Sequence, residues 1–193
     1  MFTFQDEVAA PAADNRVVQV TGLSPEITHH KLLGKIRDAG KVFSLRIIKT
    51  LLPGTPTISA GIVMWDWAAT RRLVMQVEDG LLNDGHFEAG VKLASKPFAM
   101  PTQGIQDRSR VLLIRGHPSV VQQGPIVGFL RETIRFDLDQ VDIRQVGRGA
   151  AVMEVRFGGY RGQAELAFEK LAADAYWASQ VAVAFGADPC DRR

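Results

Sequence analysis

The sequence predicts an α+β fold built twice, as two βαββαβ domains, each a four-stranded antiparallel sheet with two helices on one face. Three observations predict it. Alternating apolar runs and helix-period stripes follow one another in the order strand, helix, strand, strand, helix, strand. That order then returns: Gly22 and Gly116, each ending an alternating run, lie 94 residues apart, and Ala60 and Ala150 lie 90 apart, the spacing of a domain duplication. Finally, 193 residues that are 46% apolar and 23% charged have the length and balance of two small globular domains.

Taken in order, Met1 to Asn15 reads as a flexible N-terminal segment (1–15). Arg16 to Leu23 alternates and ends in Gly-Leu, a strand. Ser24-Pro25 supplies a helix cap and first helical residue; Leu32, Leu33 and Ile36 share one face, and Gly40 stops the helix. Lys41 to Lys49 is a second strand, Leu52 to Thr57 a turn-rich loop, and Ser59 to Trp67 a third strand. Ala69, Leu73 and Val77 mark a second helix that closes near Gly80, and Val91 to Lys96 is the last strand of a domain spanning 16–99. Polar, breaker-containing residues 100–109 form a linker.

The second domain, 110–187, opens with the strand Arg110 to Gly116. Pro125 starts a helix with the stripe Ile126, Phe129, Leu130 and Ile134. Leu138 to Val146 and Ala150 to Phe157 are strands around the turn Gly147-Arg148-Gly149. Ala164, Phe168 and Leu171 mark a helix, Val181 to Phe185 the closing strand, and 188–193 a C-terminal tail.

Composition removes several function classes. No run of 18 or more apolar residues occurs, so no membrane partner is expected, and the acid-bearing N-terminus lacks the basic region of a secretory signal. The single cysteine, Cys190, has no internal disulfide partner, which suits an intracellular compartment, nuclear or cytoplasmic with the nucleus slightly favoured. Abrupt edges and the lack of an address signal point to a piece of a longer protein. Adjacent His29 and His30 point in different directions on a helix and read as exposed residues, so no metal is expected. Gly147-x-Gly149 precedes a strand, which rejects a dinucleotide loop. Gly158-Gly-Tyr-Arg-Gly162 reads as a turn entering a helix. No enzyme and no cofactor are expected. Charge is uneven: residues 16–99 carry 11 Lys and Arg against 7 Asp and Glu, a surplus of four, whereas 110–190 carry 9 against 9. A polyanion would therefore be held mainly by the first half.

The βαββαβ order is the ferredoxin-like plan. Within it, Arg148-Gly-Ala-Ala-Val-Met-Glu-Val155 resembles the eight-residue ribonucleoprotein signature of the RNA recognition motif. Ser59-Ala-Gly-Ile-Val-Met-Trp65 fits the same frame, and Val18 to Leu23 and Leu112 to His117 resemble its first-strand hexamer. The chain thus resembles a tandem RNA recognition motif protein with degenerate signatures over about 16–99 and 110–186. The resemblance implies single-stranded RNA held on the sheets, bases stacking at positions that map to Gln19, Ala60 and Ile62, and to Leu113, Ala150 and Val152. None is aromatic.

Read by alternation, the first sheet presents Gln19, Thr21, Arg46, Ile48, Ala60, Ile62, Met64, Lys92 and Lys96. RNA-binding candidates are Gln19, Thr21, Arg46, Ile48, Ile62, Lys92, Lys96, Arg115, Arg144 and Arg148. On the second sheet Asp142 and Glu154 are expected to repel phosphate; Trp65 is expected inward in the core, and a bulge in the second strand would bring Phe43 onto the face as an aromatic. The alternative is a protein-interaction module that docks a partner or another domain through apolar sheet positions Leu113, Val152 and Ile62.

Overall fold

The computed structural model describes residues 15–50, 57–95, 107–146 and 149–191. The N-terminal segment, most of the expected linker, Lys96 and Arg148 lie outside them. The first half runs β1 (Val17–Leu23), α1 (His29–Lys35), β2 (Val42–Thr50), β3 (Thr57–Met64), α2 (Trp67–Glu78) and β4 (Gly90–Leu93). The second runs β5 (Val111–Gly116), α3 (Gln123–Thr133), β6 (Leu138–Gln145), β7 (Ala151–Phe157), α4 (Glu165–Ala173), α5 (Ala175–Gln180) and β8 (Val181–Phe185). All strand pairs are antiparallel. The sheet orders β2-β3-β1-β4 and β6-β7-β5-β8 are one topology used twice. The chain is a tandem of two ferredoxin-like α+β domains.

Local chemistry sets the helix ends. α1 begins four residues later than Ser24-Pro25 suggested. The Ser24 hydroxyl accepts from Glu26 N and its carbonyl from Ile27 N, closing a turn around Pro25. Thr28 is the true cap, accepting from Lys31 N at 3.1 Å, while Ile27 and Leu32 bury on either side of it as a hydrophobic staple. Asp66 caps α2 through Ala69 N at 2.7 Å. α5 is an element beyond the expected pattern: Asp174 accepts from Tyr176 N and Trp177 N, and Trp177 buries against Phe129.

Each sheet packs one face on its helices. In the first domain Val18, Val20, Ile58, Ala60, Ile62 and Met64 join Leu32, Leu33, Leu73 and Val77 in a single core. Ala60, Ile62 and Met64, expected on the open face, are each 0% exposed. β3 is apolar throughout one parity, Ile58, Ala60, Ile62 and Met64, and that parity faces the helices, as period-two alternation of its residues requires. The smaller set, Ser59 and Gly61, points outward.

The two domains pack against one another along the β2 edge. β2 carries a register shift between Val42 and Ser44, and this bulge turns Phe43 onto the outward side of the first sheet. There Phe43 and Val63 pack with Tyr160 of the second domain, supported by Val17, Trp65 and Phe185. Trp65 therefore sits in the junction rather than the helix-facing core, its ring 5.2 Å from that of Tyr160. Gly159 is required at this approach: a Cβ there would stand 2.8 Å from Ser44 Cα.

On the opposite side of the β2 edge, α1 touches β6. His30 Nδ1 lies 2.8 Å from Asp139 Oδ1, and His29 Nε2 lies 3.4 Å from Asp137 Oδ2. Both histidines thus reach the second domain; His30 stays exposed, as expected, whereas His29 is half-buried. The expected C-terminal tail is also part of the junction. Asp188 Oδ2 accepts from Val42 N at 2.9 Å, Cys190 O accepts from Gly40 N at 2.9 Å, and the Cys190 thiol enters the first domain's core.

At the centre of the junction is Arg110. Its side chain is 1% exposed and donates to Asp188 at 3.0 Å, to Asp139 at 2.7 Å and to Phe157 O at 2.9 Å. Burial, the largest influence, acts to lower the guanidinium pKa, but the charges of Asp188 and Asp139 hold it above the usual arginine value. Burial pushes the Cys190 thiol up to about 12, with Asp188 adding to the effect and Arg110 opposing it.

Candidate functional site

The outward face of the first sheet is built from alternate residues of all four strands. Register pairs Gln19 with Lys92 on one side and with Gly61 on the other, and Gly61 with Arg46. One row therefore reads Lys92, Gln19, Gly61, Arg46 across β4, β1, β3 and β2. Three strand spacings put its ends about 14 Å apart. Arg46 and Lys92 are exposed, and among the described residues neither has an ion-pair partner. Gly61 leaves the middle of the row open, since a Cβ there would meet nothing within 4 Å.

The next row adds Thr21 on β1 beside Gly90, and Ser59 on β3 beside Ile48, which is 41% exposed. Five expected residues, Gln19, Thr21, Arg46, Ile48 and Lys92, are thus brought together on one surface. Ile62 is not: it packs beneath them among the helices. Ser59 and Gly61, which the sequence reading missed, replace it, and their small size beside larger alternate residues was the available signal.

The aromatic side chains of this face are displaced to one end. Phe43 and Trp65 lie beside Val17 and Val63, where Tyr160 covers them. Lys41 Nζ stands 5.5 Å from the Trp65 ring centroid, and Arg16 donates to Trp65 O at 2.7 Å. Arg108 donates to the Tyr160 hydroxyl at 2.9 Å, a bond that raises the pKa of Arg108, while burial raises that of Tyr160.

On the second sheet the counterpart of that row reads Ala184, Leu113, Glu154, Asp142, and the neighbouring row, at the level of Thr21, reads Ala182, Arg115, Val152, Arg144. Arg115 is exposed without an ion pair among the described residues. Asp142 and Glu154, expected to oppose phosphate, are held by arginines of the same face: Glu154 by Arg156 at 2.7 Å and Arg144 at 3.2 Å, and Asp142 by Arg156 at 3.6 Å. Such exposed pairs contribute little stability, but they reduce the repulsion. Leu113 is half-buried, crowded by the chain at Gly186, where a Cβ would stand 3.1 Å from Leu113 Cγ. Among the described residues no group of three or more metal-ligating side chains occurs, and no helix is long and apolar enough to cross a membrane.

No family model matches the chain, and no curated protein does. Solved structures give weak likenesses. RNA recognition domains 1 and 2 of Sex-lethal from Drosophila melanogaster share 18% identity at a TM-score of 0.34, covering 89% of this chain and 100% of that one. The first two RRM domains of yeast poly(U) binding protein Pub1 share 13% at 0.36, covering 89% and 99%. RRM domains 1 and 2 of Prp24 from S. cerevisiae share 14% at 0.36, covering 89% and 96%. The fold assignment rests on the strand order and pairing above.

Proposed function

We propose that the protein binds single-stranded RNA on the outward face of the first sheet. The observation that carries this reading is the row Lys92, Gln19, Gly61, Arg46, in which two exposed cations, without ion pairs among the described residues, bracket an amide side chain and an open backbone. Arg46 and Lys92 hold phosphates, and Gln19 and Thr21 hydrogen-bond base edges. Ile48 and the Gly61 backbone give bases an apolar floor in place of stacking rings. Because aromatic stacking contributes ~1–3 kcal/mol per base, its loss leaves affinity modest and dominated by phosphate contacts. The protein-docking alternative gains no support from Ile62, which is buried, or from Leu113, which is crowded by its own chain.

The test is fluorescence anisotropy with a randomised single-stranded RNA pool at ~50 and ~200 mM salt, where counterion release gives a slope of roughly 0.7 per phosphate contact on single strands. Wild type binds with a salt-dependent affinity, and the Arg46→Gln, Lys92→Gln double variant lowers the slope by roughly 1.4. Absence of binding at the lower salt, or an unchanged slope in the double variant, overturns the reading.

A further inference from the structure

We infer that the protein holds two separate single-stranded RNA segments, one on each sheet, on opposite sides of the molecule. This rests on the function proposed above and adds the second face and its direction.

The direction follows from what meets at the junction. Tyr160 belongs to the helix side of the second domain: it leads into α4, and its ring packs on Phe185, which stacks on Phe168 of α4. Yet the surface it covers, Phe43 with Val63, is the outward side of the first sheet. Across the β2 edge the relation is reversed. α1 lies on the helix side of the first domain, and its end lines a cavity of about 390 Å³ with Arg156. Arg156 lies on the outward side of the second sheet, bonded there to Glu154 and Gln140. Helix side meets sheet side on both flanks, so the two outward faces are turned away from one another.

Arg110, Asp188 and Cys190 are buried at 1%, 1% and 0% exposure. Separating the domains would strip the Arg110–Asp188 pair of its cover and break hydrogen bonds at Val42 and Gly40. A short strand seated on Arg46 and Lys92 therefore cannot continue flat onto Arg115 and Arg144. The second face has its own row, with Arg115 unpaired among the described residues and Arg144 at the far end beyond Val152, exposed but paired with Glu154 at 3.2 Å. The two segments can belong to two RNA molecules or to one strand looped around the protein.

Native mass spectrometry of the full chain with an RNA of about six nucleotides, close to the lower site sizes of single-strand binders, counts the sites. The expected result is two RNAs on wild type and one on each of two double variants, Arg46→Gln with Lys92→Gln, and Arg115→Gln with Arg144→Gln. A longer strand of uniform sequence should occupy both sites at a stoichiometry of one. A single hexanucleotide on wild type, abolished by either double variant, overturns the inference in favour of one continuous site. A single one abolished only by the first-sheet variant overturns it while leaving the proposed function standing. No binding by wild type overturns both.

Discussion

Arg110 donates through Nε to Asp188 Oδ1 at 3.0 Å, and both side chains are hidden, at 1% and 0% exposure. The other Asp188 oxygen accepts from Val42 N. One carboxylate thus joins the entry strand of the second domain, the chain beyond β8 and the first domain's β2. Asp188→Ala leaves a buried guanidinium short of a partner, and such losses cost about 3–5 kcal/mol. Asp188→Asn, which keeps an acceptor oxygen, should cost less. Urea denaturation checks this through a lowered midpoint, larger for Ala than for Asn.

Gly159 sets how closely the domains approach. An Ala there brings its Cβ to 2.8 Å from Ser44 Cα, backbone that cannot step aside. Overpacking of this kind typically costs about 1–3 kcal/mol. A thermal melt should show the loss, and Trp65 fluorescence should shift with it, because Trp65 shares the junction with Tyr160.

Ile62 separates the structure from the sequence reading. On an open face Ile62→Ala would change stability little. At 0% exposure within the first core it should cost about 2–5 kcal/mol. The denaturation midpoint decides between them.

Cys190 gives the fold an alkaline limit. Burial pushes its thiol from 9.0 up to about 12. Below the unfolded value both states are protonated and the contribution is complete. Between the two values the unfolded chain releases a proton that the folded chain keeps, so stability falls as pH rises from about 9 to about 12. Cys190→Ala should flatten that decline in melts across this window, at the cost of a small cavity at neutral pH.

The strand and helix order was legible because both halves carry clear periodicities, period two in Arg16–Leu23 and period four in Ala69, Leu73 and Val77. The face of β3 was missed although Ile58, Ala60, Ile62 and Met64 alternate with Thr57, Ser59, Gly61 and Val63, because the signature resemblance assigned Ala60 and Ile62 to base-stacking positions. The helix start at Thr28 was hidden by Ser24-Pro25, which can open either a helix or a turn. The junction was the least legible of all. His29, His30, Tyr160 and Asp188-Pro-Cys190 are polar or short motifs whose meaning depends on contacts across more than a hundred residues. Within the candidate site, Gln19, Thr21, Arg46, Ile48 and Lys92 could be read because β1, β2 and β4 alternate unambiguously.

The most direct test of RNA binding on the first sheet is amide chemical-shift mapping. Isotope-labelled full-length chain is titrated with a short single-stranded RNA. RNA held on this face should give fast-exchange shifts that cluster on Gln19, Thr21, Arg46, Gly61 and Lys92, with the amides of α2 unmoved. Shifts confined to the helices, or no shifts at saturating RNA, would contradict it.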